Sequence, residues 1–233
     1  MKLSRLHPGH FWSSESGMTS LLIFTLAYLF VVCALGDFSF GDLVADLMFS
    51  LIIVAGVVAT FKQRWVRFCA IILAVVGIAL TWMERIRPDW SLTILSAVIG
   101  MIFLLLLFAT LIIQVFRTGV VTAHRIRGAI VVYLLLGGMW SFSYFIVALT
   151  TPQAFHWPEG LTPGDVQQIQ QALTYFSFTT LTTTGFGDVT PAIPLTRTLA
   201  MFESLAGQLY LVITLARLVS LAVVCPNLPS KPD

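Results

Sequence analysis

Residues 182–188 read Thr-Thr-Thr-Gly-Phe-Gly-Asp, and they follow Tyr175-Phe176-Ser177-Phe178-Thr179-Thr180-Leu181. Five of the six residues 179–184 are threonine. This polar, glycine-punctuated run lies between two long apolar stretches, 129–149 and 195–224. Ahead of it, 150–164 is a polar, proline-containing loop, and Thr162 and Asp165 bracket a helix start. The helix expected over 165–181 is too short, and too polar at its start, to cross a bilayer. Pro191 and Pro194 precede the last apolar stretch. A short helix that enters and a chain that returns form a re-entrant loop. Such a loop persists at membrane depth only where it is buried in protein or lines water, because lipid offers an unpaired backbone group no partner.

The rest of the chain fits that setting. Of 233 residues, 58% are hydrophobic and 10% charged, against about 25% charged in a soluble domain. The mean hydropathy is +0.91. Six apolar stretches run over 18–35, 43–61, 68–83, 92–116, 129–149 and 195–224. A spanning helix needs about 20 apolar residues, so the third stretch is slightly short. The first follows Lys2 and Arg5 but is long for a signal core, and it reads as a retained helix. The links alternate in charge. Lys62, Arg64 and Arg67 mark the second link and Arg117, Arg125 and Arg127 the fourth, whereas the first holds Asp37 and Asp42 and no base. The positive-inside rule therefore puts both termini in the cytoplasm, with Trp12 and Trp65 near the inner boundary and Trp82, Trp90 and Trp157 near the outer one. The fold class expected is an all-α membrane protein of six transmembrane helices, with a re-entrant pore helix between the fifth and sixth. A net charge of +2 and no basic tail exclude a nucleic-acid surface. Cys33, Cys69 and Cys225 lie in or beside apolar runs without metal-ligand spacing and read as small buried hydrophobes.

The run at 183–188, after an aromatic short helix, resembles the potassium channel signature T-V-G-Y-G-D. The resemblance covers about 129–224: outer helix, pore helix, filter and inner helix. It implies a homotetramer in which each chain supplies one wall of a selectivity filter. The potassium ligands it implies are the carbonyls of Thr183, Thr184, Gly185 and Phe186 and the Thr183 hydroxyl; Gly187 completes the turn. A dehydrated cation needs an oxygen cage, and consecutive carbonyls turned to one axis supply it. Gly185 and Gly187 are expected at positive φ, which permits that turn. Asp188 is placed at the outer mouth, where four carboxylates would concentrate cations. K+ is the expected bound ion, with no organic cofactor; membrane lipid and further copies of the chain are the expected partners.

Several positions depart from the family pattern. There, two adjacent pore-helix tryptophans brace the filter, one bonding the outer aspartate and the other the filter tyrosine. Tyr175 and Phe176 stand in their places, Phe186 has no hydroxyl, and Thr179 occupies the acidic position of some relatives. Thr180 stands where a tyrosine hydroxyl at position 186 is expected to find a partner. The resemblance thus implies a filter with fewer braces, able to act as a gate. Glu203 is an ionisable group within a span and so a functional-site hypothesis; it is placed behind the filter as a support. Gly207, Tyr210, Thr214, Arg217 and Leu221 share one helical face, expected to line the inner pore. Gly207 is either a bending point or a close-packing site, and Arg217 snorkels to the inner boundary.

Four peripheral helices, 18–127, precede the pore domain, 128–224; 1–17 and 225–233 are cytoplasmic segments. A voltage sensor needs a basic residue every third position on its fourth helix, and 91–116 carries no charge. Asp46 has no intramembrane arginine to meet. The expectation is a collar around a K+-conducting pore without intrinsic voltage gating. Nine residues follow Val224, so gating input is expected from the membrane, ions, tension or a regulatory subunit. His124 lies in the fourth link and His156 in the loop before the short helix. The alternatives are a weakly selective cation pore, since Thr184 and Phe186 replace Val and Tyr, or a six-span transporter, for which no internal repeat is visible. An enzyme would want a cluster of intramembrane His, Asp or Cys, and none is present in the sequence.

Overall fold

The computed structural model describes residues 15–34, 40–60, 64–87, 89–117, 122–158, 160–161 and 165–224. The expectations for Lys2, Arg5, Trp12, Asp37, Lys62, Thr162, Cys225 and the tail 225–233 fall outside these residues, as do the side chains of Asp42 and Leu221. Seven helices account for nearly all of the described chain: α1 (Glu15–Ala34), α2 (Gly41–Thr60), α3 (Arg64–Ile86), α4 (Trp90–Phe116), α5 (Ala123–Thr150), α6 (Val166–Leu181) and α7 (Pro194–Val224). Five, namely α1, α3, α4, α5 and α7, are long and apolar enough to cross a membrane. The apolar part of α2, Leu43–Val57, is shorter, below the ~20 residues a span needs. The third apolar stretch, short by sequence, is a 23-residue helix, because it takes in Arg64 and the Glu84-Arg85 pair that read as links. Arg125 and Arg127 likewise fall inside α5.

The helix α5 is the central post. It packs against α1, α4, α6 and α7, and Val131, Val132, Leu135, Tyr144 and Phe145 are buried along it. Its start is capped by Thr122, whose side chain accepts from the Arg125 amide. The Asp165 carboxylate caps α6 by accepting from the amides of Gln167 and Gln168, two donors that the first helical turn leaves without intrahelical partners. A two-residue antiparallel ladder joins β1 (Phe155–His156) to β2 (Thr190–Pro191). Ala192 N–H and the Thr196 hydroxyl also bond the Ala154 carbonyl, at 2.9 and 3.0 Å. The loop before α6 and the arm after residue 188 are thereby tied together, and 182–188 is held between two fixed ends.

Two expectations about the peripheral helices need correction. Asp46 does meet an arginine: Arg85 Nη1 lies 2.8 Å from Asp46 Oδ2. The extra turn at the end of α3 carries Arg85 back over α2. Cys33 and Cys69, expected buried, are both exposed in the isolated chain; an apolar neighbourhood in sequence does not say which side of a helix faces outward.

Candidate functional site: the segment after the short helix

The end of α6 and the segment that follows are organised by backbone bonds. Thr183 N–H donates to the Thr180 carbonyl at 2.9 Å, while Thr184 and Gly185 N–H both donate to the Thr179 carbonyl, at 2.8 and 3.2 Å. Thr182 Oγ1 caps back onto Phe178 O at 2.7 Å and lies 2.9 Å from Thr184 Oγ1. Positive φ recurs at every second residue: Thr183 at 58°, Gly185 at 55° and Gly187 at 82°. Thr184 and Phe186, between them, are not in that region. An extended strand points successive carbonyls to opposite sides. Alternating the sign of φ reverses every second flip, so neighbouring peptide groups can face one way, as in backbone nests. Thr183 is the residue the sequence did not flag. A β-branched residue at positive φ is a rare conformation, which nothing in the residue type announces.

All of 182–188 is exposed, between buried Leu181 and buried Val189. Nothing lies within 4 Å of where a Cβ on Gly185 or Gly187 would sit. These glycines are needed for their φ and not for lack of room. Asp188 Oδ1 accepts from Val189 N–H at 3.0 Å. The Tyr175 hydroxyl hydrogen-bonds the Asp188 carboxylate. The rings of Tyr175 and Phe186 stack nearly parallel, 7° apart in plane and 6.3 Å between centroids. Phe176 does not join them. It is buried edge-on against Tyr144 and Phe155, at 5.1 and 5.6 Å. Consecutive helical residues point about 100° apart, and Tyr175 takes the side toward 186. Thr179 and Thr180 meet the segment through their carbonyls, whereas the Thr179 hydroxyl turns back to Phe176 O.

Beneath the segment, three helices meet on one carboxyl group. Tyr144 of α5 donates to Glu203 Oε2 at 2.6 Å, and Ser177 Oγ of α6 lies 2.5 Å from Glu203 Oε1 and 2.8 Å from the Gly137 carbonyl of α5. Glu203 is fully buried. Ser204 donates to Thr180 O at 3.2 Å, and Tyr133 to Leu181 O at 3.4 Å. Gly207 fits because the Leu181 carbonyl occupies the place a side chain would need, so close packing, and not a bend, accounts for this glycine. Gly137 likewise lies under the Phe178 ring, 2.7 Å from where its Cβ would be.

Gly207, Tyr210 and Thr214, expected to line the inner pore, are partly or fully buried within the single chain. Gly207 meets α6 and Tyr210 meets α5 of their own chain: Tyr210 donates to Ala129 O at 2.7 Å and stacks on Tyr133, and Thr214 is buried. Arg217 is half-buried. Helical spacing names residues that share a face, but not the neighbour that face meets. The free side of α7 carries Met201, Leu205, Leu209, Val212 and Val219, all exposed.

Residues 171–223 match a family model described as ion channel. The match supports a pore-loop ion channel family. It begins in α6, runs through the positive-φ segment and covers nearly all of α7, which is where the site geometry lies. No curated protein matches the chain. Together with the long apolar helices, the match supports an integral membrane protein.

Proposed function

We propose that the chain is one subunit of a homotetrameric, potassium-selective channel that conducts K+ passively and is not intrinsically voltage-gated. The observation that carries this reading is the alternation of positive φ at Thr183, Gly185 and Gly187, in a segment wholly exposed in the single chain. One chain's carbonyls make one wall. Four copies around an axis close an oxygen cage that replaces the water shell of a dehydrated cation. Thr183, Thr184, Gly185 and Phe186 then offer the ligands, with Gly187 and Asp188 at the outer end. The six apolar stretches all span, with α6 re-entrant and both termini on the cytoplasmic side of the cell membrane. Residues 128–224 form the pore domain and 18–127 the peripheral one. The exposed side of α7, at Leu205, Leu209 and Val212, then meets the axis or a neighbouring copy. Four Tyr175–Phe186 stacks stand in for the hydroxyl that Phe186 lacks.

The test is the reversal potential of the purified protein in planar bilayers under opposed potassium and sodium gradients. A value near the potassium equilibrium potential is expected. A value near zero would replace the reading with a weakly selective cation pore, and absence of unitary currents would remove the pore itself.

A further inference from the structure

Glu203 is 0% exposed, and its hydrogen-bonding partners are two neutral hydroxyls, those of Tyr144 and Ser177. The ion pair of Arg85 with Asp46 lies on other helices. A carboxylate taken out of water without a cation is strongly disfavoured against its neutral form. The protons can also be counted. Three oxygen–oxygen contacts run in a row: Tyr144 Oη to Glu203 Oε2 at 2.6 Å, Glu203 Oε1 to Ser177 Oγ at 2.5 Å, and Ser177 Oγ to Gly137 O at 2.8 Å. Each needs a proton between its two oxygens. Tyrosine and serine bring one each, and a carbonyl brings none. An ionised Glu203 leaves two protons for three contacts. A protonated Glu203 supplies the third, and every bond then has its own donor.

We infer that Glu203 is held as a neutral carboxylic acid, the middle link of a directional hydrogen-bond chain from α5 through α7 to α6 and back to α5. Tyr144 donates to Oε2, the Oε1–H donates to Ser177, and Ser177 donates to the Gly137 carbonyl. Glu203 is thus a positioning residue. It fixes the last turns of α6, and so the base of 182–188, against both long helices while placing no fixed negative charge beside that segment. The inference rests on three helices of one chain and stands apart from which ion passes.

Infrared spectroscopy of the full-length protein at neutral pH tests it. A protonated carboxyl has a C=O stretch separate from the amide and carboxylate bands. The parent-minus-E203Q difference spectrum is expected to show that band, displaced in heavy water. Ser177→Ala removes the acceptor of the acid proton and should shift the same band to higher wavenumber. That variant retains Glu203 and serves even where E203Q folds poorly. Loss of carboxylate stretches in E203Q, or a parent spectrum with no acid band, overturns the inference. Thermal melts give a second reading. Glutamine puts a carbonyl acceptor and an NH2 donor group in the same places, so E203Q should melt within about 4 °C of the parent, and Glu203→Ala well below both. Equal losses for glutamine and alanine would count against a neutral donor–acceptor link.

Discussion

The segment 182–188 and the layer just below it are built on opposite terms. In the segment every residue is exposed, three residues hold positive φ, and side-chain bonds reach no farther than the segment itself and α6: Thr182 to Thr184 and Phe178 O, Asp188 to Val189 N–H and Tyr175. In the layer below, Leu173, Ser177, Leu181 and Glu203 are at 0–1% exposure, and Gly137 and Gly207 sit where a Cβ would collide. The shape of the segment is therefore written in backbone conformation, and its position in the packing beneath. Substitutions should separate into those that spoil position, with loss of the folded protein, and those that spoil shape, with loss of function alone.

The largest effect is expected at Gly207. A side chain there meets the backbone carbonyl of Leu181, which can yield only if the end of α6 moves. Gly207→Val should destabilise at or above the upper end of the ~1–3 kcal/mol typical of overpacking, seen as a lower melting temperature and a lost assembly peak in size-exclusion chromatography. A parent-like melt would mean that the seam is slack and that position is set elsewhere. Next comes Gly187→Ala. At φ 82° with open space around it, a Cβ costs about 1–2 kcal/mol in conformation and meets no neighbour in its own chain. The protein should fold and assemble while potassium flux into liposomes is lost. Unchanged flux would take away the main support for a carbonyl-lined path.

How much of this was legible in the sequence follows from the same division. The position of the loop could be read, because Pro191, Pro194 and the polar start at Asp165 bracket it. Positive φ at Gly185 and Gly187 could be read, because glycine is the residue that reaches it cheaply. Thr183 could not, since its conformation is imposed by the Thr180 and Thr179 carbonyls and not chosen by threonine. Nor could the contact of Gly207 with Leu181, or the turning of Tyr210 toward α5, because periodicity groups residues without naming their partner. The Arg85–Asp46 pair was hidden for another reason: helix ends are the least certain feature of a sequence reading, and one turn decides whether Arg85 belongs to a loop or faces α2.

A smaller effect should come from Phe186→Tyr, which changes neither backbone nor packing below. The ring is 70% exposed and stacked on Tyr175, so a new hydroxyl has room. A hydrogen bond gained there is worth about 0.5–1.5 kcal/mol, repeated in each copy of the proposed tetramer. Single-channel records are expected to show longer openings and a lower sodium-to-potassium permeability ratio. Open times and ratio equal to the parent's would mean that the Tyr175 stack already fixes the shape, and the search for a gate would move down α7. Phe176→Trp, by contrast, enlarges a ring enclosed by Tyr144 and Phe155 and belongs with the changes of position.

The smallest effect is expected farthest from this layer, at Arg85 and Asp46. Their side chains are 28% and 27% exposed, and they border a cavity of about 840 Å³ also lined by Glu84, Gln167 and Gln170. Glu84 is held there by the hydroxyls of Thr93 and Ser96, at 2.7 and 2.8 Å. A pair that keeps this much contact with water gains little from its attraction, typically about 0–1 kcal/mol. A double-mutant cycle of Arg85→Gln and Asp46→Asn should therefore give a coupling below ~1 kcal/mol in thermal melts, unlike the clamp at Glu203, where hydroxyls alone surround the carboxyl. The same pair bears on voltage. Each charge that crosses the field contributes about 2.3 kcal/mol per 100 mV. The helix α4 has no charged side chain from 91 to 116, and Arg85 is pinned to Asp46 at the end of α3. Open probability should then change little between strongly negative and strongly positive potentials, in the parent and in Arg85→Gln alike. A steep activation curve in the parent that flattens in Arg85→Gln would show that this pair moves in the field, and the peripheral helices would then drive the pore and not merely surround it.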